Sequence, residues 1–194
     1  MDADTKLVPT YRVGKRSANV ARAFMQDLSG RLANRIQLSS DGLNSYADAV
    51  ERAFGIDVDY GQAVKFYEAE PIGPGRYSPP RVTHQQITRI QGRPEPAHIS
   101  TSLIERQNLT MRMAMRRFTR LTNGFSKKVE NLEAAVALHF AHYNFVRLHR
   151  SLRITPAMAA GVSDRLWSLE ELLERIDAAA PAPKPRGPYK KRAA

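Results

Sequence analysis

ISTSLIERQNLTMRMAMRRFTRLTNGFSKKVENLEAAVALHFAHYNFVRLHRSL, residues 99–152, is the stretch that decides how this chain is read. Its periodicity is that of two helices around a short loop. Its bases are Arg106, Arg112, Arg116, Arg117, Arg120, Lys127, Lys128, Arg147 and Arg150, with Arg153 just beyond; its acids are only Glu105, Glu130 and Glu133. Glu105 stands near the start of the first helix, and a ladder of bases follows it. A lone carboxylate in a basic field suggests a metal ligand in a phosphate-binding cleft.

The rest of the composition agrees with that field. The 194 residues suit one domain with trimmings, and 42% apolar content is enough for a core. A formal charge of +11 favours a polyanionic partner, nucleic acid before an anionic membrane. There are no cysteines, which removes disulfides, thiolate catalysis and cysteine-bound zinc. Met1-Asp2-Ala3-Asp4 has neither the basic nor the apolar region of a secretory signal. No apolar run approaches the ~20 residues that span a bilayer, so no membrane partner is expected.

Upstream of the stretch, Leu7–Val13 is expected to be a strand, with Pro9 confining it to an edge or bulge. Ser17 caps a helix running to about Ala33, with Val20, Phe24, Leu28 and Leu32 as its buried stripe. A short strand at Ile36-Gln37-Leu38 ends in Ser39-Ser40-Asp41-Gly42, and a helix from Leu43 to Phe54 stops at Gly55. Another strand falls within residues 57–66, and Val82–Ile90 reads as an added hairpin strand. This order predicts an α/β layered domain, in which Asp41 sits at the carboxyl end of a strand, where ligands of open α/β sheets bind. The expected division is a sheet part over 1–70, a loop-rich insertion over 71–98, a helical part over 99–180 and a basic Pro-rich tail over 181–194. Within the helical part, Glu105, Asn108, Arg112 and Arg116 are expected on one polar helix face. Lys127 opens a second helix with Val129, Leu132, Val136, Phe140 and Tyr143 buried; Thr155-Pro156 opens a third, and Ser168–Ile176 is short and acidic.

Each acid has an ordinary reading beside the functional one. Ser102-Leu103-Ile104-Glu105 matches a capping box, in which the glutamate folds back onto the cap amide. Ser-Asp-Gly around Asp41 is a common strand-ending turn. Taken together, a carboxylate at a strand end and one on a basic helix, 64 positions apart, suit metal-dependent phosphoryl chemistry. His139, His142 and His149 complete no H-E-x-x-H pattern. Residues 157–163 resemble the turn of a helix-turn-helix, but the acidic segment after them would repel phosphates as a recognition helix.

Several pieces carry a family likeness: Asp2-Ala3-Asp4-Thr5-Lys6-Leu7, Ser40-Asp41-Gly42-Leu43, His98-Ile99-Ser100-Thr101-Ser102, Glu105 to Arg112, Arg116 to Asn123, Phe125 to Lys128, and Tyr143 to Leu152 with Thr155-Pro156. In these the chain resembles bacterial insertion-sequence transposases of the DDE superfamily, the group typified by insertion sequence one. The resemblance implies an RNase H-like, integrase-like core followed by a helical C-terminal part. It implies two Mg²⁺ ions held by three acids, of which Asp41 would be the second and Glu105 the third. Asn108, Arg112, Arg116, Arg117, Lys127, Lys128, Arg147, His149 and Arg150 would hold DNA phosphates. The implied partners are element ends and target DNA, with a homo-oligomer or a full-length transposase as a protein partner, in a cytoplasmic, nucleoid-associated setting. In the family the first acid lies on a strand upstream of the Asp-x-Asp-Thr turn, which here begins at Asp2. The expectation is therefore an N-terminally truncated core lacking its first strands and impaired in strand transfer. A noncatalytic basic DNA-binding module, a relic or an inhibitor of a full-length enzyme, is the other reading these residues leave open.

Overall fold

The computed structural model of the chain describes residues 1–68, 80–119 and 123–181. Arg120, most of the Pro/Gly-rich part of the expected insertion and nearly all of the expected tail lie outside the described residues. The architecture is mixed α/β: a three-stranded sheet of order β1-β2-β3 and six α-helices among the described residues. Strand β1 (Ile36–Ser40) pairs in parallel with β2 (Val58–Glu68), which pairs antiparallel with β3 (Arg81–Gln91). The helices are α1 (Ala18–Ser29), α2 (Asn44–Phe54), α3 (Ser102–Ala114), α4 (Val129–Ala141), α5 (Pro156–Ala159) and α6 (Leu169–Ala179). No helix among the described residues is long and apolar enough to cross a membrane.

Strand alternation sorts the sheet into two faces. Ile36, Leu38, Val58 and Tyr60 point at α1 and α2 and form one core with Ala21, Met25, Leu28, Ala49 and Val50. Phe24 and Leu32 join it from the predicted stripe, while the deepest positions of α1 are Ala21, Met25 and Leu28. The Tyr60 hydroxyl, carried into this core, bonds Ser40 at 2.7 Å and Gln62 at 2.8 Å, so its burial leaves no orphan.

The opposite face carries Gln37, Asp59, Gly61 and Ala63, and the chain from residue 93 to 99 crosses it. Gln37 accepts from the Glu95 amide at 2.8 Å and donates to the Glu95 carbonyl at 3.0 Å. Ile99 is 2% exposed and lies directly over Gly61, where a Cβ would come within 2.8 Å of the Ile99 Cγ1. At the start of β2 the Asp59 carboxylate accepts two bonds from Arg35, at 3.0 and 2.8 Å, and one from the Arg93 amide at 2.7 Å. Gly92, at φ +67°, makes the turn that brings that amide in; a Cβ there would meet the Val58 carbonyl at 2.8 Å.

Residues 7–13 are not a strand. At Val8 the backbone is paired by a side chain instead. Helix α4 continues into a π-helical turn over His142–Val146, and this turn buries Asn144 against Val8. The Asn144 amide accepts from the Val8 N–H at 3.1 Å and donates to the Val8 carbonyl at 2.9 Å, supplying both bonds a neighbouring strand would make. Tyr11 stacks on Phe140 with centroids 5.0 Å apart, and Thr10 bonds Asp27 on α1. The first thirteen residues thus pack with the helical part: Val8, Val136, Phe140 and Tyr143 form a second core, flanked by Met111, Met115, Phe118 and Leu132.

That second core also explains why α3 ends early. Met115 is extended, and Arg116–Phe118 form a 3-10 turn that tucks Met115 and Phe118 against the core. Beyond α4, Thr155 caps α5 and Ser168 caps α6, each accepting from a backbone amide three residues on. Trp167 lies between Phe145, stacked at 4.2 Å, and the Arg175 guanidinium at 4.1 Å.

Candidate functional site

Asp41 follows the last residue of β1, and the loop it opens packs tightly on β2. Gly42 makes this possible, because a Cβ there would lie 2.7 Å from the Val64 Cγ2. Gly61 acts similarly on the other acid. By letting Ile99 sit on β2 it fixes where α3 begins, one residue after Thr101. One turn into α3, Glu105 then comes down over Lys65, which shares the β2 face of Gly61 and Ala63.

Asp41 and Glu105 consequently line one open cleft of about 520 Å³ at the carboxyl end of β1, together with Arg16, Gly42, Lys65 and Thr101. Both carboxylates are engaged by bases. Arg16 Nη2 lies 3.1 Å from Asp41 Oδ2, between side chains 70% and 53% exposed. Lys65 Nζ lies 2.6 Å from each Glu105 oxygen, and its own side chain is only 19% exposed. The Thr101 hydroxyl donates to Glu105 Oε1 at 2.7 Å. The Lys65 ammonium holds the Glu105 carboxyl below its ordinary value; partial burial works against this and the Thr101 bond adds to it. The capping-box reading of Glu105 does not hold. Thr101 is the cap residue, and the glutamate turns to Lys65 and the Thr101 hydroxyl rather than to a cap amide.

The predicted basic residues are distributed differently. Asn108 and Arg112 follow Glu105 along α3 and are exposed. Arg116 is not on that face, because the helix breaks at Met115 before reaching it. Arg117 bonds Ser126 across the loop. Lys127 and Lys128 are exposed just ahead of α4. Arg147 and Arg150 are exposed beyond the π turn, and His149 between them is half-buried. Burial holds the His149 ring below the ordinary imidazole value, with the charges of Lys6 and Arg147 adding to the effect. None of these nine lines the cleft; its bases are Arg16 and Lys65. Neither stands out in the sequence. Arg16 sits in a polar turn, and Lys65 is one residue in an ordinary strand, identifiable only once alternation places it in the row of Gly61 and Ala63.

No family model, curated protein or solved structure matches this chain. Mg²⁺ takes oxygen ligands and is commonly bound by one or two carboxylates together with substrate phosphates. Asp41 and Glu105 are two carboxylates lining the same cleft, each held in an ion pair with a base of this chain. Among the described residues, no group of three His, Cys, Asp or Glu side chains surrounds one point.

Proposed function

We propose that this chain is a DNA-processing core of the DDE transposase type, RNase H-like in plan, in which Asp41 and Glu105 bind a divalent cation against a DNA phosphate. The observation that carries this reading is the meeting of these two acids, 64 positions apart in sequence, at one cleft beside two bases. Asp41 would hold the cation from the strand end and Glu105 from α3. Bound there, Mg²⁺ would activate water or a DNA 3′-hydroxyl for in-line attack on a phosphodiester. Arg16 and Lys65 would take the phosphate oxygens inside the cleft. Arg112, Lys127, Lys128, Arg147 and Arg150 would hold the backbone outside it. Among the described residues the cleft is lined by two acids rather than three, and the activity expected of it is cation-dependent DNA binding rather than strand transfer.

One observation favours the second reading, a noncatalytic basic DNA-binding module: each acid is already occupied by one of the chain's own bases. A titration of labelled duplex DNA separates the two. With Mn²⁺ added, binding by the unaltered chain should tighten, and Asp41→Ala and Glu105→Ala should each abolish that response. Salt-sensitive binding with the same Mn²⁺ response in all three proteins would leave only the module.

A further inference from the structure

We propose that Lys65 is an intramolecular counter-ion that competes with a divalent cation for Glu105, so that the cleft takes up a cation fully only when this lysine releases the carboxylate. The inference rests on reading Asp41 and Glu105 as the cation-binding pair.

The two ion pairs of the cleft differ in kind. Arg16 reaches Asp41 through a single 3.1 Å contact between two well-exposed side chains. Such a pair is worth little and opens freely. Lys65 meets both oxygens of Glu105 at 2.6 Å, between side chains 19% and 50% exposed, so the difference lies in the lysine's burial and its double contact. Its ammonium is a compact point charge with three donors, centred where a doubly bound cation would sit. A Mg²⁺ ion needs its oxygens at about 2.0–2.1 Å, so ammonium and ion cannot share the carboxylate in that position.

Lys65 lies in β2 in register with Gln85 of β3, one residue before a register shift at Phe66/Tyr67, and two residues back along its row is buried Ala63. Its long side chain can release the carboxylate by changing rotamer. Thr101 meanwhile holds Glu105 from the other side at 2.7 Å, which keeps the carboxylate aimed at the lysine. A cation therefore gains Asp41 first and Glu105 last.

The test titrates Mn²⁺ alone into the full chain, reading free Mn²⁺ by electron paramagnetic resonance. Lys65→Met should bind Mn²⁺ about two- to fivefold more tightly than the unaltered chain, the range set by a partly exposed ion pair. Lys65→Gln should behave alike, and serves if the methionine variant does not fold by circular dichroism. In Lys65→Met with Glu105→Gln the gain should vanish, since it acts through that carboxylate. A gain that persists in the double variant would reduce Lys65 to a general positive charge and overturn the proposal. If Asp41→Ala and Glu105→Gln each weaken binding while neither Lys65 variant strengthens it, the cation site stands and the counter-ion role falls. If no change at Asp41 or Glu105 alters Mn²⁺ binding, both readings fall together.

Discussion

The Asp59 carboxylate, gripped by Nε and Nη2 of Arg35 and by the Arg93 amide, has its pKa drawn from 3.8 down to about 2, chiefly by the Arg35 bonds. The sign of the linkage follows from that depression. The contribution is fully present above the unfolded value and is lost as pH falls through the folded one. Thermal unfolding of the unaltered chain should therefore move to lower temperature between about pH 4 and pH 2. In Asp59→Asn the midpoint should be lower at neutral pH and change less across that interval. Gly92→Ala should weaken the same latch, because φ +67° and the Val58 carbonyl both exclude a Cβ. Asp41 was legible as a strand-end carboxylate because Ser-Asp-Gly is a recognisable turn. Lys65 was not, because nothing in Ala63-Val64-Lys65-Phe66 distinguishes a cleft lysine from a solvated one until Ile99 is seen lying on Gly61.

Among the elements, those with long regular periodicity were legible in outline: α1, α2 and α4 lie near their expected spans, though α1 stops at Ser29 rather than about Ala33 and Val129 at the start of α4 is exposed, while β1 and β3 cover their expected residues and β2 runs past the expected 57–66 to Glu68. The errors came where tertiary contacts override local pattern. Leu7–Val13 alternates like a strand, yet its partner is a side-chain amide more than a hundred residues away. Methionine and arginine from 111 to 117 would continue a helix on propensity, yet α3 stops so that Met115 and Phe118 can reach the second core. Two substitutions test these contacts. Asn144→Leu leaves a buried N–H and a buried carbonyl of Val8 unpaired and should cost about 2 kcal/mol of stability, measured by urea unfolding. Gly61→Ala should cost about 1–3 kcal/mol by overpacking against Ile99, and Ile99→Val in the same chain should recover part of it. Because Ile99 sets the start of α3, the Gly61→Ala chain should also lose Mn²⁺ affinity.

For the whole molecule, charge is the property most easily read from sequence, and it sets the expected behaviour toward DNA. If the chain binds DNA as proposed, its charge of +11 makes that binding a release of counterions, so log affinity should fall linearly with log salt. Replacing Lys127 and Lys128 together by Ala should reduce the magnitude of that slope by about 2, in fluorescence anisotropy over a NaCl series, if both meet phosphates. The division of the chain into two cores, with the first thirteen residues belonging to the second, was not legible, since it depends on the π turn that aims Asn144.

The clasp between Val8 and Asn144 has a consequence during synthesis. The two residues are 136 positions apart, so at about 5–20 residues per second Val8 waits roughly 7–27 s for its partner to be made. The α1–β2 half can close in that interval, since its contacts lie within residues 18–68. The opening segment cannot, and its unsatisfied backbone stays available to chaperones, proteases or a neighbouring nascent chain until translation passes the π turn. In cells, then, yield should fall when elongation over the second half of the message is slowed.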